Sequence, residues 1–290
     1  MTSTEIDAGL ARALVAEQFP EWRDLPVRPV DKQGWDNRTF RLGDELSVRL
    51  PSAEGYVAAV AKEDRWLPYL AERLTLPVCA PVAVGKPGAG YPFPWSVRNW
   101  MTGTPIEGAD PDRAVLARDL GAFLTELREI PAGAGPAAGR HSFYRGCHPS
   151  AYADEVQAAC EAIDGLDVEA CREIWHQAVT SVWTGAPVWF HGDVSVGNLL
   201  VEDGRLSAAI DFGTCGVGDP ASDLAIAWTY FEGEDRRVFR ESAGLDDATW
   251  RRARGWALWK ALIVVAWPDR PDLARDQERN LAHILADPVV

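Results

Sequence analysis

The stretch Trp189-Phe190-His191-Gly192-Asp193-Val194-Ser195-Val196-Gly197-Asn198-Leu199-Leu200-Val201, followed by Ala209-Ile210-Asp211-Phe212-Gly213, decides how this chain folds. Short apolar runs at Val188–Phe190 and Leu199–Val201 read as strands on either side of a polar loop. A third run, Ala208–Ile210, delivers Asp211 to its end. Asp193 and Asn198 lie five residues apart in the loop, and Asp211 follows 13 residues after Asn198. Two carboxylates and an amide are thus held on turns between apolar strands, where rigid scaffolds usually present chemical groups.

This spacing is the kinase pattern H-R-D-x-x-x-x-N followed by D-F-G, with Gly192 in place of the Arg. The chemistry of γ-phosphoryl transfer from ATP or GTP explains the residue types. Mg²⁺, a hard cation, takes oxygen ligands, here the amide of Asn198 and the carboxylate of Asp211. Asp193 is expected to orient the acceptor hydroxyl and take its proton as catalytic base. A lone D-F-G arises often by chance, whereas H-G-D-x-x-x-x-N-L-L with I-D-F-G at this distance is far more specific.

Upstream, Thr39–Leu42 and Leu46–Leu50 flank Gly43-Asp44-Glu45 and read as a hairpin, with Leu46, Val48 and Leu50 on one face and Ser47 and Arg49 on the other. Residues 54–67 read as a helix, followed by strands at 81–85 and 95–101. On that helix Tyr56, Val60, Glu63 and Leu67 step by 4, 3 and 4, which places Glu63 on the apolar face. A buried carboxylate there needs a cation, and Arg49 is the expected partner. Kinases use such a strand–helix ion pair to hold nucleotide phosphates. A register slip that leaves Glu63 in solvent is the alternative. From about residue 112 the pattern turns helical, with Leu116, Leu120, Phe123 and Leu127 at helical spacing, and residues 151–183 and 222–285 continue it. The Gly and Pro of Trp100-Met101-Thr102-Gly103-Thr104-Pro105-Ile106 punctuate a boundary.

The 290 residues carry 43 acids against 29 Lys and Arg, a formal charge of −14 that opposes binding to phosphate backbones or anionic lipid. Neither a nucleic acid nor a membrane is an expected partner. Residues 151–227 hold 13 acids and two bases, so this segment carries −11 of the net charge. Its first part, with Asp154, Glu155, Glu161, Asp164, Asp167, Glu169 and Glu173, is either a solvated helix face or an acidic wall for a cationic substrate, with Asp154 and Glu155 as the nominal contacts. The five cysteines have no CxxC spacing and read as reduced thiols. Met1–Asp7 lacks the features of a signal peptide, and the apolar run Trp256–Trp267 is too short to span a bilayer, so a soluble, cytoplasmic protein is expected.

His191-Gly192-Asp193 through Asn198, Ile210-Asp211-Phe212-Gly213, and Gly216-Val217-Gly218-Asp219-Pro220-Ala221-Ser222-Asp223-Leu224-Ala225 resemble the aminoglycoside phosphotransferase family. The likeness extends to Gly34-Trp35-Asp36-Asn37 through Pro51, the Glu63 helix and the Trp95–Gly103 linker. It implies an α+β, bilobal protein-kinase-like fold: a strand-rich nucleotide lobe over 1–103 with a hinge near 98–103, and a helix-rich lobe over 104–290. It also implies that Asp193 is the base, that Asn198 and Asp211 are Mg²⁺ ligands, and that Arg49 and Glu63 anchor phosphates. Asp36 and Asn37 would lie in the phosphate-covering loop, with backbone near Asn99, Trp100 and Met101 holding the nucleobase. His191 is expected to order the loop, and Asp219 and Asp223 to cap or brace it.

Two departures stand out. Many members have Lys where this chain has Arg49, which keeps the charge but is bulkier and presents a fork. The loop at Gly34–Arg38 has one Gly instead of G-x-G-x-x-G, and no A-P-E-like element follows Asp211, which argues against protein substrates. The resulting expectation is phosphoryl transfer to a hydroxyl of a small cationic molecule, foremost an aminoglycoside-type antibiotic. A metabolic kinase for choline, homoserine or a sugar, and a nucleotide-binding pseudokinase, are the alternatives.

Overall fold

A computed structural model describes residues 5–34, 36–267 and 271–287. Trp35 of the loop motif and the Met1–Thr4 part of the N-terminal segment lie outside the described residues. The chain forms two compact units, Met1–Gly103 with Ser207–Gly213, and Thr104–Leu206 with Thr214–Val290.

The first unit opens with α1 (Ala8–Gln18), whose first turn is capped by the Asp7 carboxylate accepting from the Leu10 N–H. Strands β1 (Val27–Pro29), β2 (Asn37–Leu42) and β3 (Leu46–Pro51) precede helix α2 (Val57–Ala71), and β4 (Pro81–Gly85) and β5 (Trp95–Asn99) follow it. They form one antiparallel sheet in the order β1-β2-β3-β5-β4. The hairpin expected around Gly43 forms, and Gly43 takes φ +61° at its turn. Period-two alternation sends Leu42, Val48, Leu50, Trp95 and Val97 into a core with Ala11, Leu14 and Val15 of α1. Arg49 and Ser96 pair across β3 and β5, as do Ser47 and Arg98, all on the opposite face.

Helix α2 buries Val60, Glu63, Leu67 and Leu70. It starts after a 3₁₀ turn at Glu54–Tyr56 and runs through Pro68 to Ala71, four residues past its expected end. Strand β5 stops at Asn99, two residues short of the expected 101, and Ile210 lies outside the strand run expected at 208–210.

In the second unit come β6 (Thr104–Pro105), α3 (Arg113–Glu129), α4 (Ala153–Ala162), α5 (Val168–Val179), β7 (Val188–Phe190) and β8 (Leu199–Glu202). Strand β9 (Arg205–Ala209) carries the chain into the first unit, and the second resumes with β10 (Gly216–Gly218), α6 (Ile226–Thr229), α7 (Gly233–Ala243), α8 (Asp247–Ala266) and α9 (Pro271–Ala286). Where a continuous segment 104–290 is expected, residues 207–213 instead group with the first unit. The Ala209 N–H donates to Pro77 O at 3.2 Å, Val78 and Ala209 form a parallel bridge, and Ser207 Oγ donates to Thr102 O at 3.2 Å.

The apolar run of Trp256–Trp267 belongs to α8, which is buried on nearly every side over residues 249–262 and packs against α4, α5 and α9. Among the described residues no helix is long and apolar enough to cross a membrane.

Helices α3 and α7 meet at a glycine. A Cβ on Gly121 would stand 2.5 Å from Ser242 Cβ and 2.7 Å from the Ala243 nitrogen. Hydrogen bonds lock the contact, with Ser242 Oγ donating to Arg118 O at 2.8 Å and Arg128 Nη2 to Ala243 O at 2.5 Å. Alanine in place of a helical glycine normally gains about 0.5–1 kcal/mol, and overpacking opposes that gain. Gly121→Val is therefore expected to lower unfolding stability by ~1–3 kcal/mol in urea titrations, with Gly121→Ala less affected. An unchanged midpoint for the Val variant would show that the two helices part at no cost.

Candidate active site

Arg49, Glu63 and Asp211 come together in the first unit. Arg49 on β3 reaches Glu63 Oε1 through Nη1 at 3.5 Å and Asp211 Oδ1 through Nη2 at 3.8 Å. Glu63 is buried, as its place on the helix face demands, and the solvent register is not adopted. Its expected partner is Arg49 alone, but the structure adds Arg98. That side chain, fully buried on β5, donates from Nη2 to Glu63 Oε2 at 3.2 Å and to Asp64 Oδ1 at 3.3 Å. Nη1 donates to Cys79 O at 3.1 Å and Nε to Ser96 Oγ at 3.0 Å. Local sequence patterns do not single out Arg98, because its contact with Glu63 depends on β3 and β5 being neighbours.

The electrostatics follow this geometry. Burial opposes ionisation of Glu63, but Arg98 and then Arg49 outweigh it and hold the carboxyl below its ordinary range. Burial likewise works against the Arg49 charge, and Glu63, Asp211 and other neighbours more than restore it. Asp64, beside the same Arg98, is pushed up to about 6 because burial wins there. The Asp211 carboxylate is 45 % exposed, and its backbone sits at φ +64°, a left-handed conformation costly for a residue other than glycine.

The remaining candidates of this unit lie nearby in sequence. Asn99 ends β5 exposed, with its carbonyl accepting from the Cys79 thiol at 3.5 Å. The Trp100 N–H donates to Glu45 O at 2.7 Å, so this amide serves the chain itself, and the Trp100 ring lies 4.1 Å beneath the Arg41 guanidinium. Met101 follows, half-buried and outside regular structure. Asp36 accepts from the Ser52 N–H through its carbonyl at 2.8 Å. Asn37 is buried at the start of β2, and its Oδ1 has no hydrogen-bond partner. The Gly34–Arg38 loop is closed by Arg38 Nη1 donating to Gly34 O at 2.8 Å.

Asp193 and Asn198 come together in the second unit. Asn198 Nδ2 donates to Asp193 Oδ2 at 2.9 Å and to its carbonyl at 3.0 Å, which fixes the amide plane and turns Oδ1 away as a remaining acceptor. His191 is fully buried, and its Nδ1 accepts from the Asp193 N–H at 3.1 Å. Asp223 accepts from the His191 and Gly192 N–H groups, both at 2.7 Å. Burial raises the Asp223 pKa against those donors. Gly192 takes φ +87°, and a Cβ there would meet Thr214 Oγ1 at 2.7 Å. Asp219 caps the 3₁₀ turn Pro220–Leu224 and pairs with buried Arg252 at 2.6 Å. His191, Asp219 and Asp223 are thus bracing groups behind the loop.

A cavity of about 530 Å³ in this unit is lined by the loop Gly192–Val196 and by Tyr230, Trp256 and Trp259. Its carboxylates are Asp193, Glu107, Asp110, Glu232 and Asp276, and its cations include Arg113, Arg145, Lys260 and Arg279. Lys260 interacts electrostatically with Asp193. The structure does not bring the acids of 151–173 to this cavity. Asp154 is exposed on the first turn of α4, and Glu155 instead accepts from Trp259 Nε1 at 2.8 Å, bracing a residue that does line it. Asp167 caps α5, while Glu161 and Glu173 bond Gln157 and Gln177 on their own helices. Trp256, Trp259 and Lys260 fall at i, i+3 and i+4 on α8, a spacing that marks a shared face but not what that face meets.

Comparison with known proteins agrees with this architecture. Viomycin phosphotransferase of Streptomyces vinaceus is 32% identical over 212 residues, covering 66% of this chain and 70% of that protein. An aminoglycoside 3'-phosphotransferase of Escherichia coli is 30% identical over 129 residues, and that match spans 41% of this chain and 45% of the relative. Among solved structures, the GDP complex of aminoglycoside 2'-phosphotransferase-IIIa superposes with a TM-score of 0.71 at 18% identity, covering 97% of this chain and 99% of that one. The macrolide 2'-phosphotransferase of Brachybacterium faecium gives a TM-score of 0.66 at 21% identity, over 97% and 99%. These likenesses bear out the α+β fold expected from sequence. Residues 27–256 match the family model described as "APH: Phosphotransferase enzyme family", and on that match the chain belongs to the phosphotransferase enzyme family.

Proposed function

We propose that this chain transfers the γ-phosphoryl group of ATP or GTP to a hydroxyl of a small-molecule antibiotic. The observation that carries the reading is the Asp193–Asn198 pair, with one carboxylate exposed to the cavity and one amide held so that its oxygen remains available. Asp193 orients the acceptor hydroxyl and accepts its proton as the O–P bond forms. Arg49, held by Glu63, grips the nucleotide phosphates, and backbone at Asn99–Met101 holds the base. Asp36 and Asn37 belong to the loop that covers the phosphates.

Asn198 Oδ1 and the Asp211 carboxylate fit Mg²⁺ by donor type, since both offer oxygen. Among the described residues no cluster of three or more His, Cys, Asp or Glu forms a metal cage. Few protein ligands, completed by phosphate and water oxygens, is the usual way Mg²⁺ is held. When bound, the ion supplies charge neutralisation on the phosphate oxygens.

The cavity has the size of a drug-like ligand site. Its five carboxylates and aromatic walls suit a cationic acceptor of the aminoglycoside type. The presence of Lys260 and Arg145 at the same cavity favours a second reading, an acceptor with few ammonium groups such as a macrolide. Purified protein with Mg²⁺ and ATP or GTP, run against kanamycin, viomycin and a macrolide, separates the two by which compound drives nucleoside diphosphate release. No acceptor-dependent release from any of them, nor from choline, homoserine or sugars, would contradict transferase activity and favour a nucleotide-binding pseudokinase. The free cysteines are in keeping with a cytoplasmic enzyme.

Asp193→Asn is expected to lower turnover by ~10²–10⁴-fold while nucleotide affinity stays nearly unchanged, because the carboxylate serves the acceptor. Near-normal kcat would remove Asp193 from the mechanism. Asp211→Ala is expected to raise the Mg²⁺ concentration needed for nucleotide binding, followed by calorimetric titration. An unaltered Mg²⁺ requirement would rule out Asp211 as a ligand.

A further inference from the structure

Glu63 accepts its hydrogen bond from Arg98, not from Arg49. Oε2 accepts from Arg98 Nη2 at 3.2 Å, while Oε1, with Arg49 Nη1 at 3.5 Å, has no hydrogen-bond partner. The Arg98 guanidinium is pinned by four acceptors on four residues and is sealed from solvent. No ligand reaches it, so any effect it has on the reaction passes through Glu63. Arg49, by contrast, keeps some exposure and leans by charge alone on Glu63 and on Asp211.

We propose that Arg98 is a positioning residue of the nucleotide anchor, which holds Glu63 from the sheet side and so sets where Arg49 points. The inference rests on the reading of Arg49 as a phosphate-gripping residue.

Two cations share one buried carboxylate, and their shares are unequal. Arg98 satisfies Glu63 by a charge-assisted hydrogen bond, the stronger kind of contact. Arg49 is then attracted to Glu63 without being bound to it, and its second nitrogen stays near Asp211. Without Arg98, Glu63 would be a buried charge with Arg49 as its remaining guanidinium partner. Attraction between unit charges at this separation is strong in a poorly screened interior. Arg49 would be drawn onto Glu63, away from Asp211, and its fork would be spent inside the protein. This also gives a reason for the bulkier Arg at position 49, since a planar fork can face two carboxylates at once and a single ammonium cannot do so as well.

The test is a double-mutant cycle on the full chain, reading the Kd of ATP and of GTP by calorimetry and Tm by scanning calorimetry. The variants are Arg98→Met, Arg98→Lys, Arg49→Met and Arg98→Met/Arg49→Met. Arg98→Met is expected to weaken nucleotide binding roughly 2- to 100-fold, the range of coupling between residues of one network. Arg98→Lys is expected to recover part of the loss, and the double variant to bind no worse than Arg49→Met alone. Additive losses, or an Arg98→Met protein that binds nucleotide like the parent whatever its Tm, would overturn the positioning role. Should Arg98→Met fail to fold, Arg98→Lys combined with Arg49→Met closes the same cycle: a non-additive loss supports the role and an additive one overturns it. A parent that binds neither ATP nor GTP overturns the phosphotransferase reading and this inference with it. That result is distinct from equal binding by parent and variant, which removes Arg98 alone.

Discussion

A carboxylate sealed between a helix and a sheet constrains the first unit more than any other group. Glu63 brings a full negative charge into the interior of α2, where the cost of desolvation is several kcal/mol unless cations repay it. The cations come from two neighbouring strands, Arg49 on β3 and Arg98 on β5, so the charge balance ties three elements to one point. Register makes this feasible. Arg49 pairs with Ser96, and Ser47 with Arg98, which puts both arginines on the face of the sheet opposite the Leu–Val–Trp core. The sheet can therefore keep an apolar face for α1 and a charged face for Glu63 without conflict.

Much of the fold and of the candidate site was legible because it is written in local spacing. The hairpin at Gly43, the apolar face of α2 and the Asp193–Asn198 loop all depend on residues within a few positions of one another. Glu63 stood out because a carboxylate in a 4-3-4 apolar step is an anomaly that only burial with a cation resolves. What the sequence hid is what depends on distant pairing. Arg98 sits in a strand that reads as ordinary alternation, and its meaning appears only when β5 lies beside β3. The 151–173 acids, open in sequence to either a solvated helix face or a substrate wall, show how little charge density alone decides. A dense charge run looks like a wall, yet Asp167 caps its helix and Glu161 and Glu173 bond glutamines of their own helices, while the carboxylates at the cavity are scattered from Glu107 to Asp276.

The loop from Gly192 to Asn198 shows a second use of buried acids. Asp223 takes two backbone N–H groups of His191 and Gly192, donors that would otherwise be orphaned in the interior. Asp219, four residues earlier, is held by Arg252 from α8, the helix that also presents Trp256, Trp259 and Lys260 to the cavity. Loop and cavity wall are therefore braced against the same helix. At the start of the loop Gly192 takes φ +87°, where a side chain would strike Thr214.

The membership of residues 207–213 in the first unit bears on how such a gene can be cut and recombined. A break after Gly103 yields an N-terminal fragment with Arg49, Glu63 and Arg98 but without Asp211 or the strand residue that bridges Val78. Exchanging this unit between relatives takes junctions at three places, 103/104, 206/207 and 213/214, because one crossover would leave the Asp211 segment of one parent joined to the sheet of another. The two units are thus interlaced along the gene, so neither is encoded by one continuous stretch that could be exchanged as a cassette.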